Sequence, residues 1–224
     1  MIVFVGAVMV AGAYLIGSIP VGVLLARKRG IDLRSVGSGN VGATNVGRAL
    51  GRRWGLVCLV LDIAKGLVPT AAAGLIITAG DVELTAARAG LWVLVGLATV
   101  LGHVFPVTLG WQGGKGVATS IGVGLGLFPY FSYPMAAAVA CYLLVRGLTG
   151  YVSLGSLALA VTFPAWFVGF ALWRGWSMTV CWPLLVVAVA VGLLIVARHR
   201  DNLARLLRGQ EHKADEVFDR ADHE

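Results

Sequence analysis

Charged residues are scarce in this chain. They make up 13% of its 224 residues, against 58% apolar, and mean hydropathy is +0.85. A soluble domain is usually about 45–50% apolar and about 25% charged, so a water-soluble globular fold is excluded. Acidic residues are fewer than basic ones, 11 against 18. No carboxylates cluster as a divalent cation requires, so no metal and no cofactor is expected. The three cysteines, Cys58, Cys141 and Cys181, are odd in number, lie in apolar runs and match no metal-binding spacing. They read as small buried hydrophobes. No G-x-S-x-G nucleophile elbow is present. No His-x₄-Asp pair is present either: Thr108, Ala204 and Val217 follow at the fifth position after His103, His199 and His212. The basic–aromatic interleaving of a nucleic-acid surface is missing, so no nucleic-acid partner is expected. A basic n-region is also missing, and the first apolar run exceeds a signal h-region, so no secretory signal is expected.

What the chain does contain is long apolar runs. A membrane-crossing helix needs about 20 mostly apolar residues. Seven runs qualify as candidates: 2–26, 54–79, 87–106, 116–130, 131–146, 151–173 and 178–197. Pro129 and Pro134 predict a tight turn between the fourth and fifth. The expected fold is therefore all-α, a polytopic integral membrane protein with seven transmembrane helices. Basic residues in loops set orientation. Arg27, Lys28, Arg29, Arg34, Arg48, Arg52 and Arg53 follow the first run, Lys115 the third and Arg146 the fifth. Arg198, Arg200, Arg205, Arg208, Lys213 and Arg220 follow the last. An odd number of spans puts all of these on one face, leaving Arg88 and Arg174 beside Asp81 and Glu83 opposite. The N-terminus is then outside and the C-terminus cytoplasmic. One domain is expected over residues 1–211, with a short acidic cytoplasmic tail over 212–224 carrying Asp215, Glu216, Asp219, Asp222 and Glu224. The basic face suits anionic headgroups, and the seven tryptophans suit interface belts.

Two glycine-rich polar loops interrupt the runs. The first is Gly37-Ser38-Gly39-Asn40-Val41-Gly42-Ala43-Thr44-Asn45-Val46-Gly47-Arg48. Its glycines allow unusual backbone conformations and close approach of a ligand to main-chain N–H groups, as in an anion-binding nest. Ser38, Asn40, Thr44 and Asn45 add neutral hydrogen-bond partners, and Arg48 adds a planar fork for phosphate oxygens. The second is Gly113-Gly114-Lys115-Gly116-Val117-Ala118-Thr119-Ser120. It places a cation just before a helix, whose N-terminus offers free N–H groups. Its spacing is not that of a Walker P-loop. A third element closes the last run: in Arg198-His199-Arg200-Asp201-Asn202-Leu203-Ala204-Arg205, helical spacing puts His199, Asn202 and Arg205 on one face. Asp62 and Lys65, three apart within the second run, are expected to pair in the membrane. His103 belongs either to the same pocket or to the interface, and Ser153 begins the sixth run on the cytoplasmic side.

These motifs together resemble the bacterial membrane-integral glycerol-3-phosphate acyltransferases that use acyl phosphate, the PlsY family. The resemblance runs through Gly17-Ser18-Ile19-Pro20, both glycine-rich loops, Gly102-His103 with Phe105-Pro106, and the Arg198–Glu211 segment. It implies transfer of a fatty acyl group from acyl phosphate to the 1-hydroxyl of sn-glycerol 3-phosphate. The products are lysophosphatidic acid and inorganic phosphate, in the first acylation of bacterial phospholipid synthesis. It also implies a multi-pass protein of the bacterial inner membrane with its site facing the cytoplasm. Ser38, Arg48, Lys115, His199 and Asn202 are the expected catalytic residues. Gly37, Gly39, Asn40, Thr44, Asn45, Gly113, Gly114, Gly116, Thr119 and Ser153 are the expected substrate- and phosphate-binding residues. Acyl phosphate carries its own leaving group, so direct attack by the glycerol hydroxyl is expected. Either His199 or a substrate phosphate oxygen takes the proton. Expected partners are the two substrates, membrane lipids and the enzyme that supplies acyl phosphate, with the chain a monomer. The competing reading is a transporter of organic phosphate or another anion. The polar motifs gather at one face rather than the bilayer midplane, and no internal repeat is evident, which argues against it.

Overall fold

The computed structural model describes residues 2–80 and 83–213, and these are helical throughout apart from turns and loops. Asp81 and the tail acids Asp215, Glu216, Asp219, Asp222 and Glu224, with Arg220, lie outside the described residues.

The first apolar run forms α1 (Ile2–Gly17) and α2 (Val21–Arg27), separated at Ser18-Ile19-Pro20. Pro20 has no N–H for the helix ladder, which explains the break. A short α3 (Ala43–Leu50) precedes the long α4 (Arg52–Ile77) and α5 (Ala86–Val104). Then come α6 (Val117–Gly126), α7 (Ser132–Thr149), α8 (Val152–Arg174) and α9 (Met178–Arg198). A last short helix, α10 (Arg200–Leu207), kinks off α9 at His199.

Five helical segments are long and apolar enough to cross a membrane: Phe4–Arg27, Arg52–Ile77, Ala86–Leu109, Val152–Arg174 and Met178–Arg198. The run expected over 116–130 folds into a helix of only 10 residues. At 1.5 Å per residue it rises about 15 Å, half of a hydrocarbon core of about 30 Å. The chain turns early because Leu127 leaves helical geometry and Ser132 Oγ donates to the Gly124 and Leu125 carbonyls, both at 3.1 Å. Pro134 is not in the turn. It sits in the first turn of α7, where a missing N–H leaves nothing unsatisfied.

Small residues let the helices approach closely. A Cβ at Gly17 or Gly102 would strike backbone across the α1–α5 contact, and one at Gly66 or Gly122 would do so across α4–α6. The core is apolar and aromatic. Phe131 meets Phe163 at 5.0 Å and Phe167 at 5.4 Å, both edge to face. The outside is also apolar: Leu75, Leu148 and Leu172 are more than 70% exposed. Such a surface suits lipid, not water. Trp92 departs from the belt expectation. It is buried and donates to the Thr70 carbonyl at 2.8 Å. A smaller cluster of Val23, Ala26, Leu33, Val41, Val46 and Cys58 seats α2, the first loop and α3 on the start of α4. The three cysteines are free, with Cys58 and Cys181 buried and Cys141 half-buried. Asp62 and Lys65 pair as expected, at 2.8 Å.

Candidate active site

The first loop is organised by Asn45. Its Oδ1 accepts from the Ser38 N–H at 3.0 Å, and its Nδ2 donates to the carbonyls of Leu33 at 3.1 Å and Val36 at 3.0 Å. The Gly39 N–H donates to the Val36 carbonyl, and the Gly42 N–H to Asn40 Oδ1. The expected nest of bare N–H groups is therefore corrected: the N–H groups of Ser38, Gly39 and Gly42 serve the loop itself. Asn45 and Asn40 are its scaffold, and Asn45 is almost fully buried. Gly37 has φ +59°, and a Cβ there would stand 2.5 Å from Asn45 Oδ1 and 3.3 Å from Arg48 Cδ. Only glycine fits that turn. The loop thus presents an exposed Ser38, a half-buried Thr44 in the first turn of α3, and the half-buried Arg48.

The second loop holds a similar correction. The Gly113 N–H donates to the Val104 carbonyl and the Gly114 N–H to that of His103. Neither N–H is open to a phosphate. The Gly113 and Gly114 carbonyls accept from Arg198 Nη2 at 3.1 and 3.4 Å. What stays open is the start of α6. Gly116, at φ +89°, is its N-cap, and among the described residues no side chain caps it. The α8 start at Ser153 is likewise uncapped. The buried hydroxyls of Thr119, Ser120 and Ser153 have no hydrogen-bond partner among the described residues. Two uncapped helix starts with unpartnered hydroxyls suit an anion.

The third element brings the loops together. Lys115 Nζ donates to Asn202 Oδ1. Asn202 Nδ2 donates to Glu211 Oε1 at 2.5 Å, and Arg205 Nε to Glu211 Oε2 at 2.7 Å. The chain returns to place Glu211 because Gly209, at φ +65°, ends α10 while the Gln210 N–H bonds the Arg205 carbonyl at 2.8 Å. Glu211 closes the Arg198–Glu211 segment that carries the resemblance, but sequence reasoning gave it no role in the site. Its side chain is 6% exposed. A helix-ending glycine two positions before a lone acid was the available signal.

His199 is buried, with Nδ1 2.8 Å from the Ile195 carbonyl. A carbonyl only accepts, so Nδ1 carries the proton and Nε2 keeps a lone pair. Burial, reinforced by Lys115, pushes His199 down to about 4. It is neutral at pH 7. Burial also pulls the Lys115 ammonium down to about 8; Glu211 resists this, while Arg205 and Arg48 add to it. Burial lowers Arg48 too, again with Glu211 opposing and Arg205 assisting. Burial works to raise Glu211, but hydrogen bonds from Asn202 and Arg205 outweigh it and hold the carboxyl low. Ser153 also favours the charged carboxylate, without meeting hydrogen-bond geometry. Among the described residues, Glu211 and, for Lys115, the more distant effect of Asp201 oppose the positive charge of Arg48, Lys115 and Arg205, so the pocket favours further negative charge. His103 belongs neither to this pocket nor to the interface: it is buried behind Gly114, beside Asp62. Among the described residues no group of three His, Cys, Asp or Glu could hold a metal.

The Lys115 value carries a pH prediction. The ammonium is charged below about 8 and is lost above it. Phosphate affinity should fall as pH rises through that region. Steady-state KM for a phosphate-bearing substrate, measured from pH 6.5 to 9.5, should rise. Lys115→Arg should flatten the rise, because guanidinium stays charged. An unchanged rise in that variant would assign the titration elsewhere.

The family model described as glycerol-3-phosphate acyltransferase matches residues 7–209. The glycerol-3-phosphate acyltransferase of Anaeromyxobacter sp. (strain Fw109-5) is 46% identical over 93% of this chain and 96% of its own. That of Aquifex aeolicus (strain VF5) is 41% identical over 90% and 95%. The crystal structure of PlsY (YgiH), an integral membrane glycerol 3-phosphate acyltransferase, in its glycerol 3-phosphate form superposes with TM-score 0.78. It has 38% identity and covers 93% of this chain and 94% of that one. The lysophosphatidic acid form gives 0.77, at 36% identity and over 95% and 97%. A match of this extent in sequence and fold means that the chain belongs to the glycerol-3-phosphate acyltransferase family of integral membrane enzymes, the PlsY family.

Proposed function

We propose that the acyl donor is acyl phosphate and that the acceptor is the 1-hydroxyl of sn-glycerol 3-phosphate. The hydroxyl oxygen attacks the acyl carbonyl carbon, the carbon–oxygen bond to phosphate breaks, and lysophosphatidic acid and inorganic phosphate leave. The observation that carries this reading is the convergence of Lys115, Asn202, Arg205 and Glu211 beside Arg48 and His199. Arg48 and Lys115 neutralise phosphate and stabilise the departing charge. The starts of α6 and α8, with Thr119 and Ser153, add donors, and Ser38, Thr44 and Asn202 orient the substrates. His199 Nε2 accepts the hydroxyl proton, its lone pair being kept free by the Nδ1 bond to Ile195. The proton then passes to phosphate.

The proposed topology keeps seven membrane segments. The α6–α7 pair descends and returns between α5 and α8, so the parity that gathers the basic residues on one face is unchanged. The N-terminus lies outside, and the site and C-terminus face the cytoplasm of the bacterial inner membrane. Residues 1–211 act as one monomeric catalytic unit at the first acylation of phospholipid synthesis.

The test is phosphate release from palmitoyl phosphate by the purified chain in detergent micelles. Release should require glycerol 3-phosphate and match lysophosphatidic acid mole for mole. Transfer from an acyl thioester but not from acyl phosphate would overturn the donor assignment.

A further inference from the structure

Asp62, Lys65 and His103 lie outside the pocket just described. All three are buried, with 2%, 7% and 7% exposure. A paired charge in a membrane segment is costly to keep, and removing one partner costs more, so such groups point to a role. Their contacts run in two directions. Lys65 Nζ bonds Asp62 Oδ1 at 2.8 Å and donates to the Ile19 carbonyl at 3.2 Å. That carbonyl belongs to the break between α1 and α2, where the helix ladder is interrupted. Thr108 Oγ1 takes the neighbouring Ser18 carbonyl at 2.7 Å. On the other side, Asp62 Oδ1 stands 3.7 Å from His103 Nδ1. The far edge of the His103 ring lies directly against Gly114, where any Cβ would collide with the imidazole. The His103 carbonyl also accepts the Gly114 N–H at 3.0 Å. The residue after Gly114 is Lys115.

We propose that Asp62, Lys65 and His103 form a buried positioning cluster. It fixes the Gly113-Gly114-Lys115 loop against the α1–α2 break and so sets where the Lys115 ammonium meets substrate. The proposal rests on Lys115 being a substrate contact. None of the three residues touches substrate. The ion pair anchors the interrupted helix that leads through α2 into the first loop, while the imidazole forms the floor under the second. One cluster thereby holds both loops at a set spacing. Arg198, bonded to the Gly113 and Gly114 carbonyls, closes the loop from the other side.

The experiment is a set of double-mutant cycles on the full chain in detergent. His103→Gln and the neutral pair Asp62→Asn/Lys65→Met are each made alone and together with Lys115→Ala. Turnover, KM and thermal midpoint are measured for each. A displacement of the ammonium by about 1 Å can cost roughly 10²-fold in rate, so each cluster variant should lower kcat by about 10–100-fold while the thermal midpoint of His103→Gln stays near that of the parent. On the Lys115→Ala background the same substitutions should cost less than about 2-fold, because their effect passes through a group already gone. Equal losses on both backgrounds, or full kcat in His103→Gln, overturn the proposal. If the neutral pair fails to fold, His103→Gln carries the decision alone. If Lys115→Ala itself keeps its turnover, the site assignment fails first, a result distinct from additivity in the cycle.

Discussion

Replacing Lys115 by alanine is expected to lower kcat by about 10²–10³-fold, the loss seen when one preorganised donor to a developing charge is removed. Lys115 is bonded to Asn202 and sits within the field of Arg48, Arg205 and Glu211. Its burial makes its charge effective, because little water competes with it. Arg48→Ala should produce a loss of the same order. The side chain is half-buried with its Cδ beside Gly37, and Arg48→Lys should rescue it only partly, since an ammonium lacks the planar fork. Both variants should fold normally, because each removes a cation from a site crowded with cations. Turnover near the parental value in either one would refute the phosphate-clamp assignment.

Glu211→Ala is expected to act on the fold as well as the chemistry. The carboxylate accepts from Asn202 at 2.5 Å and from Arg205 at 2.7 Å, and its side chain is 6% exposed. The Arg205 side chain is 34% exposed, so water screens part of the ion pair and the loss should be smaller than for a fully buried pair. Asn202 would also lose the partner that orients it toward Lys115, so activity should fall together with the thermal midpoint. Glu211→Gln should be milder, since one amide oxygen still accepts. The sign of the pH effect follows from the lowered carboxyl. The stabilisation is full above the ordinary carboxylate range and fades as pH falls through the lowered value. A Glu211→Ala protein with parental melting and parental turnover would remove Glu211 from the site.

The sequence by itself determined a good deal. Apolar runs have no stable home in water, so helices in a membrane followed from hydropathy alone. The three polar motifs pointed to a phosphate site, because few residue types combine cations, hydroxyls and helix starts; the reaction itself came from the family resemblance. The family was legible for the same reason, several separated motifs standing in order. The tertiary structure decided what spacing along a chain cannot express. Whether a loop N–H is free depends on partners that only the fold supplies: the Val104 and His103 carbonyls take those of Gly113 and Gly114, and Asn40 and Asn45 take those of Gly42 and Ser38. Glu211 joined the site only because the chain folds back at Gly209. The expected fourth span at 116–130 shortened because a serine side chain bonded backwards into the helix end. His103 was placed behind Gly114 by a helix packing against a loop. Local pattern states which groups are present; hydrogen bonds and packing between remote segments state which of them remain available to a ligand.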